Sequence, residues 1–222
     1  MSDAENPRFL VVEIPDLVAA RRVFPALQTG VAASDGAVLA MAMPRDVDVL
    51  EAGTRLAAVF IARWDSRRAL NTYWAGSGAA AFAPAESVVG SRAVSVEGIP
   101  PGGLPGDFLP TVATVAAPRL PTPPAYMLVQ GSVTELEAIQ QYVGIIMPML
   151  RERLGYYVVY AETPDVDVLH GRWVEQVFIV SRWPTLEAAR DFWWCERYQD
   201  TAIPVRTGHG DFTVLLVPGI AG

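Results

Sequence analysis

The chain has 222 residues, of which 51% are hydrophobic and 18% are charged. A chain of this length and composition can bury one or two hydrophobic cores. Its formal net charge is −7 and its sequence pI is about 4.8. Such an acidic surface repels nucleic acid and anionic membranes, so we expect neither as a partner.

A single cysteine, Cys195, excludes an internal disulfide. Nothing in the sequence pairs it with a histidine, so we expect a packed thiol rather than a nucleophile. The amino-terminal sequence MSDAENPRF has neither the basic region nor the apolar region of a signal peptide. No window approaches the roughly 20 apolar residues that a membrane-spanning helix needs. We therefore expect a cytoplasmic protein.

The first half of the chain predicts four strands and two helices. Apolar runs rich in branched and aromatic residues mark the strands. Asp16 can cap the first helix with a side-chain oxygen, and either Asp65 or Ser66 can cap the second. In chain order, the expected elements are a strand at 9–14, a helix from 17 to about 30, strands at 37–43 and 56–64, a helix at 66–74 and a strand at 92–97. We expect a loop or a short extended piece at 46–50 and no regular element at 76–87.

Residues 99–124 have the composition of a linker. This stretch holds eight prolines and three glycines, which favour stiff extended chain over packed elements. Only 111–117 alternates enough to suggest an additional strand at a sheet edge.

The second half predicts the same element order. Thr134 and Glu137 have the spacing of a capping box, and an apolar face then recurs at helical spacing as far as Leu150, with Pro148 expected to kink the helix. Pro184 and Thr185 open a second helix. The strands are expected at 126–130, 156–160, 175–183 and 212–217.

The two halves are copies of one unit. Between 36 and 74, a shift of 119 positions superposes DVDVLEAGTRLAAVFIARW at 46–64 on DVDVLHGRWVEQVFIVSRW at 165–183 without a gap. The order strand, helix, strand, strand, helix, strand is that of the ferredoxin-like unit, an antiparallel sheet with both helices on one face. Two such units can cover the free faces of their sheets by stacking them.

The sequence therefore predicts an α+β protein in which two tandem ferredoxin-like βαββαβ units pack as an intrachain dimeric α/β barrel. We place the first unit at 1–98, with a degenerate segment after Trp74, the linker at 99–124 and the second unit at 125–222. The barrel is expected to enclose a cavity or a dry interface between the sheets. Association of two chains into a homodimer remains open.

The second half resembles the family called domain of unknown function 1330, of the dimeric α/β-barrel superfamily. The resemblance covers about 95 residues and rests on AYMLVQGSV, DVDVLHGRW, VFIVSRWPTLEAARDFW, ERYQ and VLLVPG. The first half departs from this pattern because GSGAAAF stands where the E-x-Y-Q segment belongs. In length and architecture, the double unit is similar to oxygenases of aromatic polyketide pathways, including ring-opening enzymes of angucycline biosynthesis.

This resemblance implies an oxygenase, of monooxygenase or ring-opening type, acting on a polycyclic aromatic polyketide intermediate in bacterial secondary metabolism. The cofactor is expected to be none, or reduced flavin as a co-substrate. The alternative is a non-catalytic protein of the same superfamily that binds a small molecule or serves assembly.

Such chemistry needs a base near neutral pH and a donor for the developing oxyanion. Histidine is the natural base, so His170 and His209 are catalytic candidates, together with Tyr160 and Arg182. We place His170 in a loop before a strand. An ion pair of Arg182, or of its counterpart Arg63, with an aspartate such as Asp48 or Asp167 is the favoured alternative to oxyanion binding.

Aromatic side chains concentrated in the second half suggest the walls of a substrate site. The candidates for substrate binding are Trp173, Trp193, Trp194, Tyr126 and Gln130, with core packing as the alternative role for the aromatic residues. Trp173 and Trp194 have Thr54 and Ala75 as counterparts, an asymmetry that favours a ligand in the second half. With two histidines on separate segments, we expect no metal, although Asp165, Asp167 and His170 lie close in sequence.

Overall fold

Two five-stranded antiparallel sheets form the protein. A computed structural model describes residues 6–51, 57–104, 109–116 and 121–220. The strands are β1 (Arg8–Ile14), β2 (Ala37–Ala42), β3 (Asp48–Glu51), β4 (Ala58–Trp64), β5 (Arg92–Glu97), β6 (Ala125–Val133), β7 (Tyr156–Glu162), β8 (Val166–His170), β9 (Val177–Trp183) and β10 (Gly210–Pro218). The helices are α1 (Leu17–Ala32), α2 (Arg67–Tyr73), α3 (Ala79–Phe82), α4 (Leu136–Glu152), α5 (Leu186–Trp194) and α6 (Ile203–Arg206). The predicted α+β class and tandem arrangement are confirmed.

Each half gives one strand to the sheet of the other half. The strand orders are β2-β4-β1-β5-β8 and β3-β10-β6-β9-β7. Thus β3 of the first half pairs with β10, and β8 of the second half pairs with β5. Of the two alternatives for residues 46–50, the extended one is correct. The loop position predicted for His170 is wrong, because this residue pairs with Ala93 as the last residue of β8.

Alternation along the strands divides the apolar residues between three cores. Phe9 and Val11 of β1 point to the other sheet, whereas Leu10, Val12 and Ile14 point to the helices. In β6, Tyr126 and Leu128 face the other sheet in the same way, and Met127 faces the helices. The first core therefore lies between the two sheets and holds side chains from both halves, which is the stacking that the duplication predicts.

Matched hydrogen bonds close the two sheets against each other. The Ile99 N–H donates to the Val158 carbonyl at 2.9 Å, and the Ile220 N–H donates to the Leu39 carbonyl at 2.9 Å. Leu39 and Val158 are related by the same shift of 119 positions that relates the sequence copies. The two halves therefore lie about an approximate twofold axis.

Three local expectations are corrected. Residues 76–87, for which no regular element was expected, are largely helical: a π-helical turn at Trp74–Gly78 leads into α3 and then a short 3-10 turn. The alanines there favour helix strongly, which explains the difference. Among 111–116, the described part of the proposed edge strand, Thr111 makes an isolated bridge to Tyr157.

The third correction concerns the start of α4. No capping box forms, because Glu135 is the N-cap and makes no side-chain capping bond. Its carboxylate instead lies 2.6 Å from Nδ1 of His209. Asp16, Ser66 and Thr185, in contrast, accept the expected bonds from the backbone N–H three residues later. No helix within the described residues has the length and apolar character to cross a bilayer.

Candidate functional site

A cavity lies in the second half, between its sheet and the helices that cover it. Its volume is about 150 Å³, similar to cavities that admit one benzene ring. Helix α4 packs tightly only through its carboxyl-terminal half, and its earlier turns, with Leu136 65% exposed, stand away from the sheet. The walls include Met127, Val129, Ile139, Tyr142, Val143, Ile146, Tyr157, Tyr160, Ile179, Trp193, Tyr198, Arg206, Phe212 and Val214.

A buried guanidinium group lies in the wall of this cavity. Arg206, the last residue of α6, is only 5% exposed. Its Cζ lies 5.3 Å from the ring centroid of Tyr142, 6.0 Å from that of Trp193 and 5.1 Å from that of Phe212. A cation enclosed by aromatic faces gains from the negative ring faces but still needs an anionic partner to offset lost hydration.

The first half supplies that partner. Glu51, at the end of the exchanged strand β3, accepts a hydrogen bond from Nη1 of Arg206 at 3.0 Å and a second, shorter one from Nη2. Burial alone would lower the pKa of Arg206, but its hydrogen bond to Glu51 and the neighbouring charges raise it overall. Arg206 therefore keeps its positive charge inside an apolar cavity, and residues from both halves build the site.

Two phenol groups lie beside this ion pair. The hydroxyl oxygens of Tyr142 and Tyr198 are 2.8 Å apart. Burial raises the pKa of both groups, and the positive charge of Arg206 only partly opposes this. Tyr157, another wall residue, has its pKa raised by burial as well. These phenols stay protonated near neutral pH, so they act as hydrogen-bond donors and not as bases.

One donor of Arg206 has no partner within the described parts of the chain. Its Nε–H is buried and makes no hydrogen bond to them. A buried unpaired donor costs free energy that a ligand oxygen could recover. The arrangement thus offers an anionic or carbonyl oxygen a charged donor and, because one of the two bonded phenols donates to the other, one phenolic hydroxyl within an aromatic enclosure.

Two of the predicted site residues line this cavity. Tyr160 lies at the rim, 40% exposed, with its ring 5.9 Å edge-on from that of Tyr157, and burial raises its pKa. Trp193 is buried in the wall, with its ring 4.9 Å from that of Tyr198.

Four other predicted residues lie between the two sheets. Arg182 stacks on Tyr156 at 5.7 Å and borders a separate cavity with Tyr126. Gln130 is 1% exposed and donates from Nε2 to Glu13 at 2.5 Å. The Cζ atom of Arg92 lies 5.0 Å from the ring centroid of Trp173. Arg92 itself pairs with Glu13 and Glu175. Gln130 and Trp173 therefore belong to a closed polar cluster.

Neither histidine lines the cavity, and Trp194 does not line it either. His170 packs on Phe82 in the first half, with ring centroids 4.8 Å apart. His209 pairs with Glu135 at the surface, and Trp194 is 62% exposed. The residues predicted to act together are thus distributed over four places.

Arg63 makes the aspartate ion pair that was the favoured alternative, but the partners named for it, Asp48 and Asp167, are wrong. Arg63 pairs with Asp65 at 2.8 Å. Asp48 pairs instead with Arg190, and Asp167 pairs with Arg8 and Arg67. The exchanged strands β3 and β8 carry these two aspartates to the outer edges of the opposite sheets, away from the strand positions of Arg63 and Arg182.

Sequence inspection missed Glu51, Tyr142, Tyr198 and Arg206 as site residues. A signal existed only for Tyr198, which lies in the E-x-Y-Q segment that the first half lacks. Glu51 and Arg206 are 155 positions apart, and only the exchange of β3 brings them together.

The lining residues do not fit a heme held by histidine or cysteine, the ligands found in many heme proteins. Both histidines lie elsewhere, and the Cys195 thiol donates to the Phe192 carbonyl at 3.2 Å. Among the described residues, no group of three or more His, Cys, Asp or Glu side chains is placed to hold a metal ion.

Comparison with known proteins places the second half beside a recognised family. Residues 124–220 match the family described as domain of unknown function (DUF1330). No curated protein sequence matches the chain.

Solved structures share the whole double fold. A candidate monooxygenase from Fusobacterium nucleatum has a TM-score of 0.53 at 7% identity, covering 97% of this chain and 97% of that chain. A heme-binding protein from Thermus thermophilus has a TM-score of 0.51 at 12% identity, covering 98% and 92%. A candidate chlorite dismutase has a TM-score of 0.51 at 10% identity, covering 97% and 96%. At such identities, the likeness establishes a dimeric α/β barrel and nothing about the reaction.

Proposed function

We propose that the chain is an oxygenase that binds an oxygenated aromatic ring in the cavity of the second half. The observation that carries this proposal is the buried Arg206, held by Glu51 between aromatic faces, with a free N–H and the hydroxyls of Tyr142 and Tyr198 beside it. A bound phenol or enol that reaches these donors becomes more acidic, because its anion gains charge-assisted hydrogen bonds that the neutral form lacks.

The enolate or phenolate is the electron-rich form that reacts with dioxygen. For a substrate with a CH2 group between two aromatic rings, the balance closes without an added reductant. The CH2 becomes C=O, one oxygen atom enters the product and the other leaves as water with the two hydrogens. The substrate supplies the two extra electrons. The protein excludes water, orients the ring and stabilises the negative oxygen.

The cavity size defines how a polycyclic substrate would bind. A volume of about 150 Å³ accepts one ring, so further fused rings would extend through the mouth, where Tyr160 and Glu162 line the rim. The narrower proposal, a polycyclic aromatic polyketide intermediate of bacterial secondary metabolism, follows the sequence resemblance. For substrates that cannot give both electrons, reduced flavin is the proposed co-substrate.

One observation favours the alternative of a binding protein without catalysis. Neither histidine lines the cavity, and its phenols are held protonated. Among the described residues, the carboxylates at its edge are the paired Glu51 and Glu162 at the exposed rim. A protein that only binds an aromatic anion would need the same donors but no proton acceptor.

Anthrone, whose enol is a polycyclic phenol, separates the two functions. We expect oxygen uptake and conversion to anthraquinone by the wild type. Arg206→Gln should lower kcat/KM by about 100-fold, as for loss of an oxyanion donor, and Tyr142→Phe by about 10-fold. Arg197→Gln, on the same segment but paired with Glu152 at the surface, is the matched control. Tryptophan quenching by anthrone without oxygen uptake would support the binding protein.

The histidines are tested in the same assay. His170→Ala and His209→Ala should keep wild-type rates, because both side chains lie outside the cavity. Loss of activity in either variant, with unchanged folding by circular dichroism, would favour the histidine base predicted from sequence over the arrangement around Arg206.

A further inference from the structure

A second cavity lies between the two sheets, on the approximate twofold axis. Its volume is about 300 Å³. It shares Tyr157 with the cavity beneath α4 but is otherwise lined by different residues, among them Phe9, Tyr126 and Val158, which pack in the core between the sheets. We propose that it binds an apolar monocarboxylate, a ligand site that goes beyond the proposed oxygenase and does not rest on it.

The walls are built from equivalent positions of the two halves. Phe9 pairs with Arg63 across β1 and β4, and Tyr126 pairs with Arg182 across β6 and β9. All four side chains border the cavity. Two guanidinium groups thus approach one space from opposite halves, and aliphatic and aromatic side chains form the rest of the lining.

The charges around this space do not balance. Arg63 is neutralised by Asp65 at 2.8 Å. Arg182 makes no ion pair with a carboxylate within the described parts of the chain, and its Cζ stacks on Tyr156 at 5.7 Å. Among the described residues, no acidic side chain lines the cavity. One positive charge of the described lining therefore remains, and a ligand with a single negative charge would neutralise it.

The chemistry of the lining favours a carboxylate on an apolar body. A planar guanidinium matches the two oxygens of a carboxylate. Tyr126 is 3% exposed, and burial raises the pKa of its phenol while Arg182 opposes the shift. Its hydroxyl thus stays protonated and can donate to the same group. The apolar walls would hold a hydrocarbon or aromatic body and would leave the additional charges of a phosphate unpaired.

The test uses 2-naphthoate as the probe and 2-naphthalenemethanol as its neutral analogue, both measured by isothermal titration calorimetry. We expect the wild type to bind the naphthoate at least about ten-fold more tightly than the alcohol. Arg182→Gln should weaken naphthoate binding by about ten-fold and leave alcohol binding unchanged, since a hydrogen-bonded charge pair is lost. Arg172→Gln, an exposed arginine of the same half, is the matched control.

Two cavity-filling variants locate the probe. Val158→Trp fills the space between the sheets, whereas Ile139→Trp fills the cavity beneath α4. Naphthoate binding lost only in Val158→Trp supports the proposal. Binding lost only in Ile139→Trp, or equal affinity of Arg182→Gln and the wild type, would overturn it. Thermal unfolding of each variant identifies any that fails to fold, and Leu39→Trp, at the equivalent position of the first half, then replaces Val158→Trp.

Discussion

The two halves are copies in sequence but differ in how their helices meet the sheet. In the first half, α1 buries Ala19, Ala20, Val23, Phe24, Leu27 and Val31 along its whole length. In the second half, α4 buries only Ile146, Met147, Met149 and Leu150 near its end. The first half therefore has a continuous core, whereas the second keeps an open space walled by tyrosines.

The exchanged strands reach these two environments with different side chains at equivalent positions. Glu51 ends β3 and pairs with Arg206 in the open half. His170 ends β8 and packs on Phe82 in the filled half. One unit is thus closely packed and contributes an acid to the other unit, which holds the cavity.

The largest expected effect contrasts packing in the two helices. Phe24→Ala should lower the free energy of unfolding by about 3–5 kcal/mol, because it empties a fully buried site. Val143→Ala, beside the open cavity, should cost about 1 kcal/mol or less, since little packing is lost there. Urea denaturation measures both. Equal losses would show that the second half is as tightly packed as the first.

Alkaline pH provides the next contrast. Burial raises the pKa of Tyr73 to about 12 from 10.0, so the folded chain retains a proton that the unfolded chain loses. The contribution of the protonated Tyr73 to the free energy of unfolding is complete below pH 10 and disappears as pH rises from 10 to 12. It amounts to about 3 kcal/mol. Tyr73→Phe should flatten this part of the profile of unfolding free energy against pH. An unchanged profile would contradict the burial of this phenol.

Tyrosines of the second half should strengthen the alkaline effect there. Burial raises the pKa of five of its phenols, those of Tyr126, Tyr142, Tyr157, Tyr160 and Tyr198. Hydrogen exchange above pH 10 should therefore report opening of β6, β7 and α4 before β1 and α1. The opposite order would show that the filled half limits stability.

The shared ion pair should give a smaller effect on stability. Glu51→Gln removes the anionic partner of Arg206, whose side chain is 6% exposed, whereas that of Glu51 is 35% exposed. Because water reaches the carboxylate, the cost should be about 1–2 kcal/mol, below that of a fully buried pair. Glu51→Gln should also change the affinity of the cavity in the second half for an anion. Denaturation and anthrone titration measure the two effects, and Glu175→Gln, in the polar cluster between the sheets, is the control for affinity.

The two histidines give the smallest expected effects. His170→Ala should cost about 1 kcal/mol, the worth of a partly buried aromatic contact. His209→Ala should cost less than about 1 kcal/mol, since His209 and Glu135 form a surface pair. If the contact of His170 with Phe82 contributes nothing to stability, the difference in denaturation midpoint between the two variants should disappear. Phe82→Leu tests the same contact independently.

Sequence alone was sufficient for the fold class and the tandem arrangement, because the evidence for them is local or repeated. The copied segments at 46–64 and 165–183 identify two units, and Asp16, Ser66 and Thr185 mark helix starts that the structure confirms. The exchange of β3 and β8 could not be predicted, since a short D-V-D-V segment suits a loop or a strand equally. Which sheet it joins depends on pairing between distant parts of the chain.

The site residues were harder to predict from the sequence for the same reason. The asymmetry of Trp173 and Trp194 pointed to the second half, yet neither residue lines the cavity there. The cavity arises because α4 stands away from the sheet, a property of packing that periodicity does not reveal. Arg206 occurs in a short segment without a motif, and its partner Glu51 belongs to the other half.

The reciprocal strand exchange has a consequence for any attempt to express one unit alone. A fragment containing only the second unit would leave one side of β10 without its neighbour, and would strip Arg206 of its counterion. Unpaired backbone groups along such an edge form hydrogen bonds with strands of other molecules. A single unit would therefore pair the free edge of β10 with a strand of another molecule, whereas the tandem chain supplies β3 for this edge itself.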